Sequence, residues 1–235
     1  MHSLLHEVSS IDTFMCAIDL RKTFLCVREN HGGTYDMREK AWIGTYGCIF
    51  SVGVYFSVGK HKAFCAHIHP PCVGNGFSSI ITEAKGTLLK VKTITKLVSH
   101  AKQNGWSIRD VNKSSVIMVC PLPDHKTNHE VGIHSKEHPH AKRPGFYVIE
   151  GIKEFLGLSS ELEVDTASQG FVACQIKGED SVKVPFWGAT HDKIRTAREK
   201  ALMNWIEAEA GGDRSWYCDD WDKEQEEGEQ AAHIC

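Results

Sequence analysis

Cys48 directly follows Gly47, and His67 comes 19 residues later. A cysteine and a histidine brought together form the smallest unit that does covalent catalysis, because the thiolate is the nucleophile and the imidazole takes its proton. The glycine lets the backbone turn sharply and present the thiol at the mouth of a strand. A third component must orient the imidazole, and Thr45, another nearby hydroxyl or a backbone carbonyl can supply it. The same stretch carries a competing chemistry. Cys65, His67, His69 and Cys72 are four zinc donors within eight positions, three of them on one strand face. Their spacing matches no common zinc finger, and in that reading Cys48 becomes a further ligand and no nucleophile. A second histidine group, from His125 to His140, reads as a solvated loop with transition-metal binding as the alternative. The Gly32-Gly33 and Gly74-Asn75-Gly76 stretches lack the lysine and the spaced glycine of a phosphate loop and read as turns.

The elements that must position these residues are legible as periodicities. Phe50, Val52, Val54 and Phe56 alternate with small or polar residues, which predicts a strand over 49–56. Phe64, Ala66 and Ile68 alternate with Cys65, His67 and His69, which predicts its partner over 62–69, closed by Pro70-Pro71. A turn centred between Ser57 and Val58 would set Cys48 opposite His67 across the ladder, and a slip of one residue would set it opposite His69. Ser79 is the expected cap of a helix with Ile80, Ile81, Ala84, Leu88, Val91, Ile94, Leu97, Val98 and Ala101 on its apolar positions, stopped by Asn104-Gly105. Strands are further predicted near residues 14–27 and over 115–120, 161–165, 170–177 and 181–186. Helices are predicted over 146–158 and from Thr190 to Gly211.

Composition bounds what this assembly is for. The chain has 235 residues, 41% of them hydrophobic and 24% charged, values of an ordinary globular protein. Its net charge of -3 offers no footprint for nucleic acid. That balance is uneven, because Gly211 to Cys235 holds eight acids and two bases. No apolar run is long enough to cross a membrane and no secretory signal is visible, so an intracellular, cytoplasmic setting is expected. The nine cysteines are odd in number and lie mostly in apolar runs, which fits reduced, buried thiols. Three regions follow: 1–40 with N-terminal strands and a loop, 41–210 as the main domain, and 211–235 as an acidic, disordered tail. Trp216 and Trp221 give that tail an acidic-aromatic character suited to docking a partner.

Gly47-Cys48, the alternating strand, Ala66-His67 and the long helix after them resemble the chemoreceptor glutamine deamidase family (CheD). The likeness in layout extends over about residues 41–186, through the helix ending Gly151-Ile152-Lys153-Glu154-Phe155-Leu156-Gly157-Leu158, Asp165, Gln169-Gly170 and the hairpin at Ser181-Val182-Lys183-Val184. Thr45-Tyr46-Gly47-Cys48 is similar to the Leu-Ser-Gly-Cys of the cytotoxic necrotizing factor toxins. Phe64-Cys65-Ala66-His67 is similar to the Cys-Leu-Thr-His of the protein N-terminal asparagine amidohydrolases. The chain departs from CheD at Gly47, where that family has serine, and at Trp42, where it has its catalytic threonine.

What the resemblance implies is an α/β (α+β) fold, a mixed or antiparallel sheet packed with about three helices. It implies hydrolysis of a Gln or Asn side-chain carboxamide on a protein substrate, with Cys48 as nucleophile, His67 as base and no cofactor; with tryptophan at 42, the third residue is assigned to Thr45 from its proximity to Cys48 alone. The alternatives are a zinc-binding protein on Cys65, His67, His69 and Cys72, or an inactive member of the fold that binds a partner.

Overall fold

The computed structural model describes residues 24–38, 42–48, 50–70, 81–121, 142–158, 162–166, 169–174, 182–186, 215–218 and 221. Among these described residues eight strands form two four-stranded sheets. In the first, β1 (Phe24–Cys26) runs parallel to β3 (Trp42–Tyr46), which pairs antiparallel with β7 (Gly170–Cys174), and β7 with β8 (Val182–Phe186). Pro185 lies on β8, an outer strand of this sheet among the described residues, where a missing amide proton is tolerated. In the second, β2 (Gly32–Asp36), β5 (Lys62–Ile68), β4 (Val52–Val58) and β6 (Val111–Val119) are antiparallel throughout. The mixed α/β content is as expected, but where a single sheet is predicted there are two, one mixed and one antiparallel, with two helices among the described residues: α1 (Glu83–Gln103) and α2 (Pro144–Leu156). The third expected helix and the His125–His140 loop lie outside those residues. No described helix is long and apolar enough to cross a membrane.

The central strands β4 and β5 of the second sheet are buried on both faces, and the period of two assigns each face its own core. Val52, Val54, Phe56 and Val58 join Phe64, Ala66 and Ile68 against the two helices. Tyr55, Ala63 and Cys65 point the other way and meet Ile43, Phe171 and Ala173 of the first sheet. The candidate site sits in this inter-sheet layer.

Several expectations are corrected. The β4–β5 hairpin turns at Gly59-Lys60-His61, so His67 pairs with Gly53, and Cys48 belongs to the loop before β4, outside the ladder. Gly32 and Gly33 open a strand instead of a turn. A Cβ at Gly32 would lie 2.6 Å from that of Ala66 and 2.7 Å from the Trp216 ring, so the glycine is there to let an indole lie on the strand. Residues 162–166 form no strand and meet β6 through one bridge, Val119 with Asp165. The cap of α1 is Thr82, whose hydroxyl accepts the Lys85 amide proton at 3.4 Å, and Ser79 is outside the described residues.

The inward face of α1 also differs from the apolar stripe. Leu88, Val91 and Val98 are each about half exposed, whereas Gly86, Leu89, Thr93, Leu97, His100 and Ala101 are buried. The cause is close helix packing. The Tyr147 ring occupies the place of a Gly86 side chain, and a Cβ at Gly151 would lie 2.8 Å from the Lys90 carbonyl oxygen. Thr93 donates its hydroxyl to the Leu89 carbonyl at 2.8 Å, and His100 Nε2 meets Thr34 Oγ1 at 2.9 Å, so these polar groups enter the core satisfied.

The acidic C-terminal region is not wholly a tail. Trp216 is fully buried, Cys218 and Trp221 nearly so, and the Trp216 indole packs edge-on against Phe64 at 5.1 Å between centroids. Both tryptophans nominated for docking are engaged in the core.

Candidate active site

Three segments converge on His67. The end of β3 supplies Thr45, the loop after it supplies Cys48 and Ser51, and β5 supplies His67 itself. The approach depends on glycines. At Gly170, a Cβ would run into the Thr45 carbonyl and Tyr46 backbone, so only glycine lets β7 lie against the end of β3. There the Cys48 amide donates to the Gln169 carbonyl at 2.8 Å, which anchors the loop. Gly47, with φ at 76°, turns the chain into it, a conformation glycine adopts without penalty. Gly53, the ladder partner of His67, leaves open the space that the cysteine enters: a Cβ there would lie 3.0 Å from Cys48 Sγ, 3.0 Å from Thr45 Cγ2 and 3.1 Å from the Phe171 ring.

The imidazole is held at both nitrogens. Thr45 Oγ1 is 2.8 Å from Nδ1, and Cys48 Sγ is 4.0 Å from the same atom. Ser51 Oγ is 2.5 Å from Nε2. His67 is 1% exposed, Thr45 and Ser51 are 2% exposed and Cys48 is fully buried. The structure places Cys48 and Thr45 beside His67, by way of a loop and not by the predicted ladder register. Ser51 is the functional residue that sequence reasoning misses, and its only signal is that it is the one serine in the apolar run Ile49 to Phe56.

A pocket of about 450 Å³ reaches His67 and is lined also by Arg28, Glu29, Tyr46 and Gly47. Its wall is fixed by backbone bonds: Asn30 N–H donates to the His67 carbonyl at 3.1 Å, and His67 N–H to the His31 carbonyl at 2.8 Å. Glu29 Oε1 lies 2.6 Å from His69 Nδ1. That contact holds the Glu29 carboxyl below its ordinary range.

The electrostatics give a resting state opposite to a preformed ion pair. Burial pushes the Cys48 thiol well above its ordinary value, with the neighbouring Cys120 adding to the rise and the hydrogen bond with Thr45 opposing it. Burial pushes His67 down to about 4, against the pull of the Glu29 carboxylate. At neutral pH both partners are uncharged.

Of the four zinc donors of the alternative reading, Cys65, His67 and His69 are described. Among the described residues no group of three or more His, Cys, Asp or Glu side chains is placed to hold a metal ion. Cys65 is buried in the inter-sheet core, both His67 nitrogens face hydroxyls, His69 faces Glu29, and Cys72 is outside the described residues.

Comparison with known proteins adds no assignment: no family model matches the chain, and no curated protein matches it.

Proposed function

We propose that the protein is a cysteine-dependent amidohydrolase of the CheD-like kind, which converts a Gln or Asn side-chain carboxamide, carried on a protein, to the carboxylate. The observation that carries this reading is the convergence of Cys48 and Thr45 on the same imidazole nitrogen, beneath a pocket that reaches His67. At 4.0 Å the thiol is too far for a strong direct bond to Nδ1, and the Thr45 hydroxyl bridges the gap. Thr45 accepts the thiol proton and passes its own to Nδ1. The thiolate sulfur then attacks the carboxamide carbon and forms a C–S bond. The imidazolium returns the proton to the leaving nitrogen, the C–N bond breaks and ammonia departs, leaving a thioester. His67 next takes a proton from water, whose oxygen displaces the sulfur and regenerates Cys48. The sum is carboxamide plus water giving carboxylic acid plus ammonia. The Cys48 amide is engaged by Gln169, so the oxyanion donor must be another group.

The complete burial of Cys48 favours one second reading, a fold that holds a carboxamide side chain without cleaving it. Incubation with Gln- and Asn-containing peptides and proteins separates the two. Ammonia release and the matching mass change, lost in Cys48→Ala, are expected of the enzyme. Equal release by wild type and Cys48→Ala would end the amidohydrolase proposal.

A further inference from the structure

The thiol and the Thr45 hydroxyl both approach Nδ1, so a proton can be accepted there only if that nitrogen carries the lone pair. A neutral imidazole has one N–H, and it must then be on Nε2. Ser51 Oγ stands 2.5 Å from Nε2, and both residues are buried. We propose that Ser51 is the positioning residue of the site, which takes the Nε2 proton in a hydrogen bond and so fixes His67 as the tautomer whose Nδ1 faces Cys48 and Thr45. The proposal deepens the amidohydrolase reading and rests on it for its catalytic meaning.

The reasoning turns on what remains when the hydroxyl is removed. With Ser51 truncated, an Nε2–H would be buried without an acceptor, whereas an Nδ1–H could still donate to Thr45. The ring then converts to the Nδ1–H form, its lone pair leaves the thiol side, and the route from Cys48 through Thr45 to His67 closes. Ser51 sits three residues beyond the nucleophile in the same loop, so one short segment supplies both the attacking atom and the group that sets its base. Glu29, His69 and His31 are the other titratable groups acting on His67, and none of them bonds either ring nitrogen.

Nitrogen-15 spectra of the full chain, with His67 assigned by its loss in His67→Gln, read the tautomer directly. Wild type should show a protonated Nε2 and an unprotonated Nδ1 at neutral pH. Ser51→Ala should move His67 toward Nδ1–H and slow alkylation of Cys48 by iodoacetamide, followed by peptide mass mapping, about tenfold or more. Ser51→Thr keeps a hydroxyl at the same place and should restore both. An Nδ1–H ring in wild type, or Ser51→Ala with unchanged tautomer or unchanged Cys48 alkylation, would overturn the proposal. The expected tautomer together with no ammonia release from any carboxamide would count against the amidohydrolase reading alone and leave the Ser51 assignment in place.

Discussion

Gly53 and Cys48 are close neighbours: the glycine, with only a hydrogen for a side chain, pairs with His67 across the β4–β5 ladder and leaves the room that the sulfur beside it needs. Replacing that hydrogen by a methyl group sets it 3.0 Å from both Cys48 Sγ and Thr45 Cγ2. Gly53→Ala is therefore expected to cost roughly 1–3 kcal/mol, as overpacking of a filled core does, and to move the thiol away from the imidazole. Chemical denaturation gives the first quantity, and the Cys48 alkylation rate reports the second. A variant as stable and as reactive as wild type would show that the sulfur does not depend on this gap.

Cys48→Ala tests nucleophile and packing together. The sulfur is fully buried, so its removal should destabilise the fold by about 1 kcal/mol while ammonia release falls to background. Folding with near-native stability and retained turnover would transfer the chemistry to another residue.

The alkylation profile of native Cys48 should contain no low-pH plateau. Burial raises the thiol's ionisation above its ordinary range, so the rate should climb with pH through 9 and stay far below that of the unfolded chain. A plateau reached near neutrality would mean a resting thiolate and would contradict the uncharged pair.

Acid should weaken the fold through His67. Its folded-state value of about 4 lies below the ordinary 6.5, so between these pH values the unfolded chain binds a proton that the folded one does not. Stability is then full above about 6.5 and declines as pH falls toward 4, by on the order of 3 kcal/mol from this residue. Glu29, whose carboxyl is held low by His69, adds a loss of the same sign as pH falls further. Denaturant midpoints measured across this range for wild type and His67→Asn should converge at the acidic end, and parallel curves would exclude His67 as the cause.

Truncation after Ala210 removes Trp216, Cys218 and Trp221, all of them packed in the core. Loss of one buried tryptophan costs roughly 3–5 kcal/mol, so the melting temperature should fall by roughly 10 °C or more. A shortened chain that melts with the full one would return this region to the status of a solvated tail.

Strand periodicity made the hairpin that carries His67 legible, because Phe64, Ala66 and Ile68 must share a face wherever the turn lies. The register was not legible, since Ser57 to His61 offers several turn positions and only the pairing of Val52 with Ile68 fixes one. Asn104-Gly105 and Gly157 were readable as helix ends from local chemistry alone, and both glycines take the left-handed conformation. The inward face of α1 was hidden because glycine and threonine, poor markers of a core, are what allow α2 to approach. For the site, Cys48, Thr45 and His67 could be named from type and spacing. Ser51 could not, because its role depends on the Nε2 side of a ring whose orientation only tertiary structure sets.

Trp216 bears on when the pocket can exist. Its backbone N–H donates to the Asn30 carbonyl and its carbonyl accepts the His69 amide proton, so one residue laces the turn behind Glu29 to the end of β5. During synthesis, Asn30 and His69 leave the ribosome long before their common fastener does, and an emerging chain must wait with this wall unsewn. A ribosome that stops short of Trp216 releases a chain with the nucleophile and base already encoded and the seam missing. A protease cutting just upstream of Ser215 would leave every residue of the constellation in place and free only the thread.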